Sequence, residues 1–159
     1  MIVRPRPPDF KIIGFYTGKV IIGVGLLMVI PLAISLLFGE WNPAIEFLIS
    51  IGVCLVFGFG LEILCRTSKD LDWGHGLVVA SFSWFLAMIF GAIPHWLSGH
   101  FGSYLDAMFD IMSGYTTTGL YLLQDLDHVS NGLNMWRHLL TYAGGQGIIV
   151  IALTFLFRG

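Results

Sequence analysis

Residues 102–120 read GSYLDAMFDIMSGYTTTGL and separate two long hydrophobic runs of the chain. The first part of this segment is apolar on one side, and a helix of about 12 residues reaches the middle of a membrane and no further. Ser103 with Asp106 three positions later has the spacing of a capping box, so we expect the helix to begin there. The segment predicts a re-entrant half-helix, and a helix lying on the membrane surface is the alternative.

The predicted half-helix runs directly into SGYTTTGL, residues 113–120. Three consecutive β-branched hydroxyl residues favour an extended backbone, and the two glycines permit positive φ. Extended backbone at membrane depth leaves carbonyl oxygens unpaired, which is tolerated where protein or a water-filled cavity surrounds them. Such oxygens can replace the hydration shell of a potassium ion, and the negative end of the helix dipole would lie beside them. A threonine-rich outer loop with turn glycines is the alternative.

The composition of the whole chain requires a bilayer as solvent. Of 159 residues, 56% are hydrophobic and 11% are charged, whereas soluble domains carry roughly a quarter charged residues. The formal net charge of −2 argues against nucleic-acid binding. Pro31 lies within the first hydrophobic run, so we expect a kink there. Cys54 and Cys65 suggest neither a disulfide framework nor a metal site. The runs long enough to span a membrane cover residues 12–38, 44–64, 75–97 and 135–157.

The basic residues predict the orientation of the chain in the membrane. Of the eight lysines and arginines, six flank the predicted spans on one side, namely Arg4, Arg6, Lys11, Arg66, Lys69 and Arg158. By the positive-inside rule that side is the cytoplasm, so residues 95–134 face outward. Indole rings anchor helices at the membrane interface, and the predicted span ends carry Trp41, Trp73, Trp96 and Trp136. We therefore expect a multi-pass protein of the cell membrane with a cytoplasmic N-terminus.

The order of span, short capped helix, SGYTTTGL and second span resembles the Trk/Ktr/HKT superfamily of potassium transporters, and TrkH-like membrane subunits in particular. Further matches are Asp110 before the motif, the aromatic–arginine pair Trp136–Arg137, and the glycine cluster GGQGII of residues 144–149. The resemblance implies an all-α membrane protein, with transmembrane helices plus one re-entrant pore helix and an extended filter loop. It also implies that this chain contains one repeat, made of a helix, a pore loop and a second helix.

The resemblance also divides the chain and implies its function. Residues 1–11 would be a cytoplasmic segment, residues 12–70 two preceding transmembrane helices, and residues 71–159 the first outer helix, pore helix, filter and inner helix. Four such repeats in one long chain would transport potassium without covalent chemistry or a bound cofactor. The implied partners are the potassium ion, the lipid bilayer, the remaining pore repeats and a cytoplasmic nucleotide-binding regulatory subunit, with no nucleic acid.

Carried over to this sequence, the resemblance makes the backbone carbonyls of Thr116, Thr117, Thr118 and Gly119 one quarter of a potassium-binding filter. Such a filter has fewer glycines than the TVGYG type, so its preference for potassium over sodium is expected to be less strict. Gly114 and Tyr115 precede these residues and would support the filter.

Two charged residues are also expected to support the filter. An isolated charge is costly at membrane depth, so Asp110 needs a partner there. We expect Asp110 to brace the backbone behind the filter, with direct cation binding as the alternative, and Arg137 to compensate its charge.

The glycine cluster predicts close packing in the last span. Gly144, Gly145 and Gly147 lack side chains, which lets another helix approach, and the pore helix is the expected neighbour. Gln146 stands where members of the superfamily commonly carry an apolar residue. We expect it to be a hydrogen-bonded packing residue rather than an ion ligand.

Several outward-facing residues support a different hypothesis, a metal-dependent intramembrane enzyme. Their spacing matches no known site, so we expect solvated loop residues and no enzyme; they are His95, His100, His128, Asp106, Asp125 and Asp127. A homotetrameric, channel-like assembly and a non-conducting membrane interaction module are further alternatives. Because the sequence stops at Arg158–Gly159 directly after a span, we expect a piece of a longer transporter.

Overall fold

The computed structural model of the chain describes residues 7–67, 73–123 and 126–156. These residues contain no strand, so the described part of the chain is all-α. They form six helices: α1 Pro7–Leu27, α2 Val29–Leu37, α3 Trp41–Leu64, α4 Trp73–Leu97, α5 Tyr104–Tyr115 and α6 Asn131–Leu156.

Three of the predicted spans are confirmed as helical segments long and apolar enough to cross a membrane. Within the described residues these segments are Asp9–Leu37, Trp41–Leu64 and Gly74–Leu97. The predicted fourth span falls on α6, whose 26 residues reach about 39 Å at 1.5 Å per residue. The chain is therefore an all-α membrane protein, as the sequence predicts.

The first span is interrupted where α1 gives way to α2. The break falls at Met28, one turn before Pro31. Proline has no N–H to donate, and its ring crowds the carbonyl group four residues earlier, here that of Leu27. Hydrogen bonds on either side of the break continue, from the N–H of Met28 to Val24 (3.3 Å) and from that of Leu32 to Met28 (3.1 Å). The expected kink is thus present as a local break rather than an end of the span.

Helices α1 and α3 approach each other closely at two glycines. A Cβ atom on Gly18 would lie 2.7 Å from the carbonyl oxygen of Gly58, and one on Gly58 would lie 2.9 Å from that of Gly18. Real Cβ atoms do not approach backbone this closely, so the crossing requires glycine on both helices. Small residues at a helix crossing are the usual solution where packing rather than the hydrophobic effect holds helices together.

Trp136 fills the centre of the helical bundle. Its side chain is fully buried, and its indole Nε1 donates to the carbonyl group of Gly91 in α4 at 3.0 Å. The ring also meets Phe47 of α3 edge-on, with centroids 6.4 Å apart. The expectation that Trp136 anchors at the membrane interface is therefore wrong, because this face of α6 turns toward α3 and α4. Trp41 and Trp96 are exposed as expected, and the side chain of Trp73 lies outside the described residues.

The turn between α2 and α3 is bonded to the start of α6. Glu40 accepts hydrogen bonds from the backbone and side chain of Asn131 (2.8 and 2.9 Å) and from the N–H of Gly132 (3.2 Å). The first N–H groups of a helix lack intrahelical partners and carry partial positive charge, so a carboxylate stabilises this end. The contact joins the first helices to the α4–α6 unit.

Candidate functional site

Helix α5 lies between α4 and α6 and is the short helix expected from the sequence. It runs over 12 residues, Tyr104–Tyr115, and Ser103 caps its start by accepting from the N–H of Asp106 at 3.2 Å. The Tyr104 hydroxyl donates to the carbonyl group of Ile89, which attaches the helix to α4. Its start is therefore as predicted.

The end of α5 differs from the sequence expectation of an extended backbone from Ser113 onward. Ser113, Gly114 and Tyr115 form the last turn of the helix, so Gly114 has no positive φ. The N–H of Thr117 donates to Gly114 (3.0 Å) and that of Thr118 to Ser113 (2.9 Å), with Thr117 left-handed at φ +56°. These bonds form a Schellman motif, which satisfies carbonyl groups that an extended chain would leave open. Irregular chain begins only at Thr118.

We call residues 116–123 the threonine loop. Its threonine hydroxyl groups form hydrogen bonds with α5 and with one another. That of Thr116 donates to the carbonyl group of Met112 at 2.8 Å, and that of Thr118 lies 2.8 Å from the Thr116 hydroxyl. The Thr117 hydroxyl donates to the carbonyl group of Thr116 at 2.7 Å. Gly119 has φ +78°, the left-handed backbone that its residue type allows.

Backbone N–H groups of the threonine loop are held by α5. Besides the two bonds of the Schellman motif, the N–H of Leu120 donates to the Ser113 hydroxyl oxygen at 2.8 Å. The N–H of Leu122 donates to Asp110 Oδ1 at 3.1 Å. In the described chain, five loop N–H groups are thus bonded to α5: that of Thr116, which donates to the carbonyl group of Met112 at 2.8 Å, and those of Thr117, Thr118, Leu120 and Leu122.

These bonds set the direction of the carbonyl groups. In a planar trans peptide the N–H and the preceding C=O point in opposite directions, and the described peptide bonds are trans. The carbonyl groups that share a peptide with the N–H groups of Thr117, Thr118, Leu120 and Leu122 therefore point away from α5; they are those of Thr116, Thr117, Gly119 and Tyr121. Among the described residues, nothing donates to the carbonyl oxygens of Thr117, Thr118 and Gly119, and residues 117–120 are exposed.

Asp110 connects the threonine loop to α6. Its side chain is 2% exposed, and while Oδ1 holds the loop, Oδ2 lies 3.4 Å from Arg137 Nε. The Arg137 guanidinium also lies 4.4 Å from the ring centroid of Tyr121, a cation–π distance. The structure thus brings together Asp110 and Arg137, which lie 27 positions apart in the sequence. It also places a cavity of about 240 Å³ beside them, with Asn134 and Thr141 in its wall.

His95 also belongs to this cluster. It is 1% exposed, its Nε2 lies 3.8 Å from Asp110 Oδ2, and its ring packs near Phe101 with centroids 5.3 Å apart. The expectation of a solvated outer loop residue is therefore wrong for His95, because α4 continues to Leu97 and turns this side chain inward.

The remaining outward-facing residues stay dispersed. His100, Asp127 and His128 are exposed, and Asp125 lies outside the described residues. In the portion of the chain that the structure describes, no three His, Cys, Asp or Glu side chains come together as a metal-binding group.

Residues 44–158 match the family TrkH, described as a cation transport protein. The chain belongs to the TrkH family. This is a family of transport proteins rather than of enzymes, and the resemblance noted from the motifs is confirmed.

Curated TrkH relatives match along most of this chain. An uncharacterised cation transporter of Methanocaldococcus jannaschii is 32% identical over 157 residues, covering 99% of this chain and 33% of the relative. The Trk system potassium uptake protein TrkH of Halomonas elongata is 32% identical over 143 residues (87% and 29%). TrkH of Escherichia coli K12 is 30% identical over 149 residues (92% and 31%). The chain thus spans about a third of the length of these relatives. No solved structure matches it significantly.

The glycine cluster of this TrkH-family chain has unequal members. A Cβ atom on Gly144 would overlap the carbonyl oxygen of Tyr115 and lie 2.7 Å from its carbonyl carbon. One on Gly145 would be in ordinary contact with Thr117 Cγ2 at 3.5 Å, and one on Gly147 would meet no described atom within 4 Å. Close packing against α5 is therefore wrong for Gly147, because α5 ends at Tyr115 and the chain turns away before reaching that level.

Gln146 is not the hydrogen-bonded packing residue that we expected from the sequence. Its side chain is exposed on α6 and makes no hydrogen bond within the described parts of the chain. The residue lies beside Gly145 on a surface that the described helices leave uncovered.

Sequence reasoning missed two residues of the site, Ser113 and His95. Ser113 belongs to the SGYTTTGL motif. Its bond to Leu120 joins residues seven positions apart across a turn, and the residues around Ser113 do not predict the geometry of that turn. His95 had a sequence signal, since it lies beside Pro94 at the end of a hydrophobic run rather than in a polar loop.

Proposed function

We propose that this chain contributes one quarter of a pore that transports potassium across the cell membrane. The observation that carries the proposal is the threonine loop, whose peptide N–H groups are bonded back to α5 while the carbonyl oxygens of Thr117 and Gly119 point away and accept no hydrogen bond from the described residues. Oxygens presented in this way can take the place of water around a potassium ion. The relatives named as potassium uptake proteins support the choice of ion.

In this proposal residues 71–159 are one pore repeat, with α4 as outer helix, α5 as pore helix, the threonine loop as filter and α6 as inner helix. Residues 12–70 precede it and residues 1–11 are cytoplasmic. The carbonyl oxygens of Thr116, Thr117, Thr118 and Gly119 bind the ion. The Thr116 oxygen already accepts from the Thr117 hydroxyl, so its share of ion contact is the smallest.

The electrostatics of α5 favour a cation at this place. Its C-terminal end carries roughly half a negative charge and meets the threonine loop at Thr116. Asp110 has a compensating cation, Arg137, and one of its oxygens already holds Leu122. We therefore assign Asp110 to bracing the loop rather than to binding the ion, with Gly114 and Tyr115 providing the helical turn beneath it.

One chain provides carbonyl oxygens from one side only, so an ion needs further repeats around it. The relatives are about three times as long as this chain, which supports further repeats within one longer polypeptide. A homotetramer of this unit is the second candidate, since the exposed carbonyl face fits it equally well. We further propose a cytoplasmic N-terminus and, as the resemblance to Trk-type transporters implies, a cytoplasmic nucleotide-binding regulatory subunit.

The test is a glycine substitution in the complete transporter that contains this chain. Gly119→Ala places a Cβ atom on a left-handed residue, φ +78°, that has no described neighbour within 4 Å, so its cost lies in the backbone of the filter. We expect loss of potassium uptake, or loss of its selectivity over sodium, measured as ion uptake in potassium-depleted cells.

Gly99→Ala is the matched control. Gly99 is also left-handed, at φ +72°, and also has open space around it, but it lies in the turn between α4 and α5. We expect near-normal uptake from this variant. If Gly119→Ala transports potassium with unchanged rate and selectivity, the threonine loop is not the filter.

A further inference from the structure

We infer that Ser113 is a positioning residue for ion selection, and that its hydroxyl group fixes the direction of the Gly119 carbonyl. The inference rests on the proposed function of the threonine loop. Ser113 Oγ accepts from the N–H of Leu120 at 2.8 Å, and that N–H belongs to the same peptide group as the Gly119 carbonyl. Because the peptide is planar and trans, holding the N–H behind the loop directs the carbonyl to the opposite side.

Gly119 needs such a constraint more than its neighbours do. Glycine adopts either sign of φ readily, and a peptide group next to it can rotate with little steric resistance. No described atom lies within 4 Å of the position where a side chain would start, so packing does not hold the residue. The bond from Leu120 to Ser113 is the contact that the structure provides for this peptide group.

Ser113 is itself held firmly enough to act as a reference point. It lies in the last turn of α5, and its side chain is 6% exposed. Its backbone oxygen accepts from the N–H of Thr118 at 2.9 Å, so one residue holds two alternate peptide groups of the loop. The bond to the Ser113 backbone oxygen holds the Thr117 carbonyl outward, and the bond to the Ser113 hydroxyl oxygen holds the Gly119 carbonyl outward. Removal of the hydroxyl group would release only the second.

The test uses the complete transporter and the ratio of potassium to sodium uptake. Ser113→Ala removes the acceptor for Leu120 while keeping α5 and its backbone bonds. One neutral hydrogen bond shifts an equilibrium roughly two- to tenfold, so we expect a fall of that size in the uptake ratio at unchanged abundance in the membrane. Ser113→Thr keeps a hydroxyl group and should restore most of the ratio.

Ser83→Ala is the control for loss of a buried hydroxyl group elsewhere. Ser83 is 8% exposed and donates to the carbonyl group of Val79 within α4. This variant should leave the ratio unchanged. If Ser113→Ala does not reach the membrane, Ser113→Cys decides the matter, since sulfur is a weak acceptor of similar size and should still lower the ratio.

The possible results separate this inference from the proposed function. Suppose that Gly119→Ala loses the ratio of potassium to sodium uptake while Ser113→Ala or Ser113→Cys keeps it unchanged. That result overturns the role of Ser113 and leaves the filter assignment in place. An equal fall in potassium and sodium uptake also overturns it, because a merely structural role predicts that result. Unchanged selectivity in both Ser113→Ala and Gly119→Ala overturns the filter assignment itself.

Discussion

At the scale of single residues, the unusual backbone of Thr117 is the most informative feature. A β-branched residue at φ +56° is rare, and left-handed backbone costs an L-residue roughly 1–2 kcal/mol. Glycine is the usual residue at this position of a Schellman motif. Strain of this kind persists where surrounding contacts impose it and is concentrated at functional sites. Here the bonds from Thr117 and Thr118 back to the last turn of α5 impose it.

The buried pair of Asp110 and Arg137 permits a stability prediction. Asp110→Asn keeps an acceptor for Leu122 but leaves Arg137, 9% exposed, without its counter-charge. Breaking one side of a buried pair costs about 3–5 kcal/mol. We expect a clear fall in the melting temperature of the detergent-solubilised transporter.

A double-mutant cycle isolates the contact between the two charges. Arg137→Gln alone should also destabilise the protein, and the combined variant should lose less than the sum of the two single losses. Strictly additive losses would show that the charges do not interact, despite the 3.4 Å between Asp110 Oδ2 and Arg137 Nε.

At the scale of helices, the position of α5 depends on its contacts at both ends. Its start is attached to α4 through Tyr104, and its end lies against α6 at Gly144. Helix α6 is in turn held at its own start by Glu40 from the α2–α3 turn. Because α6 contacts both α5 and the α2–α3 turn, a shift of α6 would move α5 and, with it, the threonine loop.

Gly144→Ala tests this dependence. The added Cβ atom would overlap the carbonyl group of Tyr115, which is backbone and cannot rotate away as a side chain can. We expect α5 and α6 to separate, with loss of potassium uptake and a lower melting temperature of the complete transporter.

Gly147→Ala is the matched control on the same helix, where no described atom lies within 4 Å of the new carbon. It should retain nearly normal stability and uptake. Equal effects of the two substitutions would mean that the contact with Tyr115 does not position α5.

At the scale of the whole molecule, the chain presents its free carbonyl oxygens on one exposed side. An ion bound there would contact protein on that side only, whereas a filter surrounds the ion with oxygens. The remaining surface of the described spans is rich in exposed large hydrophobic residues, as a bilayer-facing surface requires. If an ion binds there, as we propose, a complete site needs further oxygens from outside this chain.

Complementation of a potassium-uptake-deficient bacterium tests this requirement. We expect no growth at low potassium with residues 1–159 alone and normal growth with the complete transporter. Growth supported by the chain alone, together with purification as an assembly of four copies, would favour the homotetramer over a single chain of four repeats.

The amino-acid pattern is enough to predict the class of protein, the order of its helices, the start of α5 at Ser103 and the left-handed Gly119. These features depend on hydrophobic run lengths, on capping between residues three positions apart, and on the backbone freedom of one residue type. Each is local in the chain, so its signal is present without knowledge of the fold. The TrkH-type motif is equally local.

Only the tertiary structure shows where α5 ends, that Trp136 and His95 are buried, and that Ser113 holds the threonine loop. The sequence motif predicts that Asp110 braces the loop beside Arg137, but not which atoms meet. Asp110 meets Arg137 across 27 positions, and Trp136 meets Gly91 across 45. Whether such groups meet depends on how α4, α5 and α6 pack, which the local preferences of these residues do not specify. The hydrogen bonds of Thr117 and Thr118 to the last turn of α5 impose a left-handed backbone on Thr117 against its own preference for extended chain.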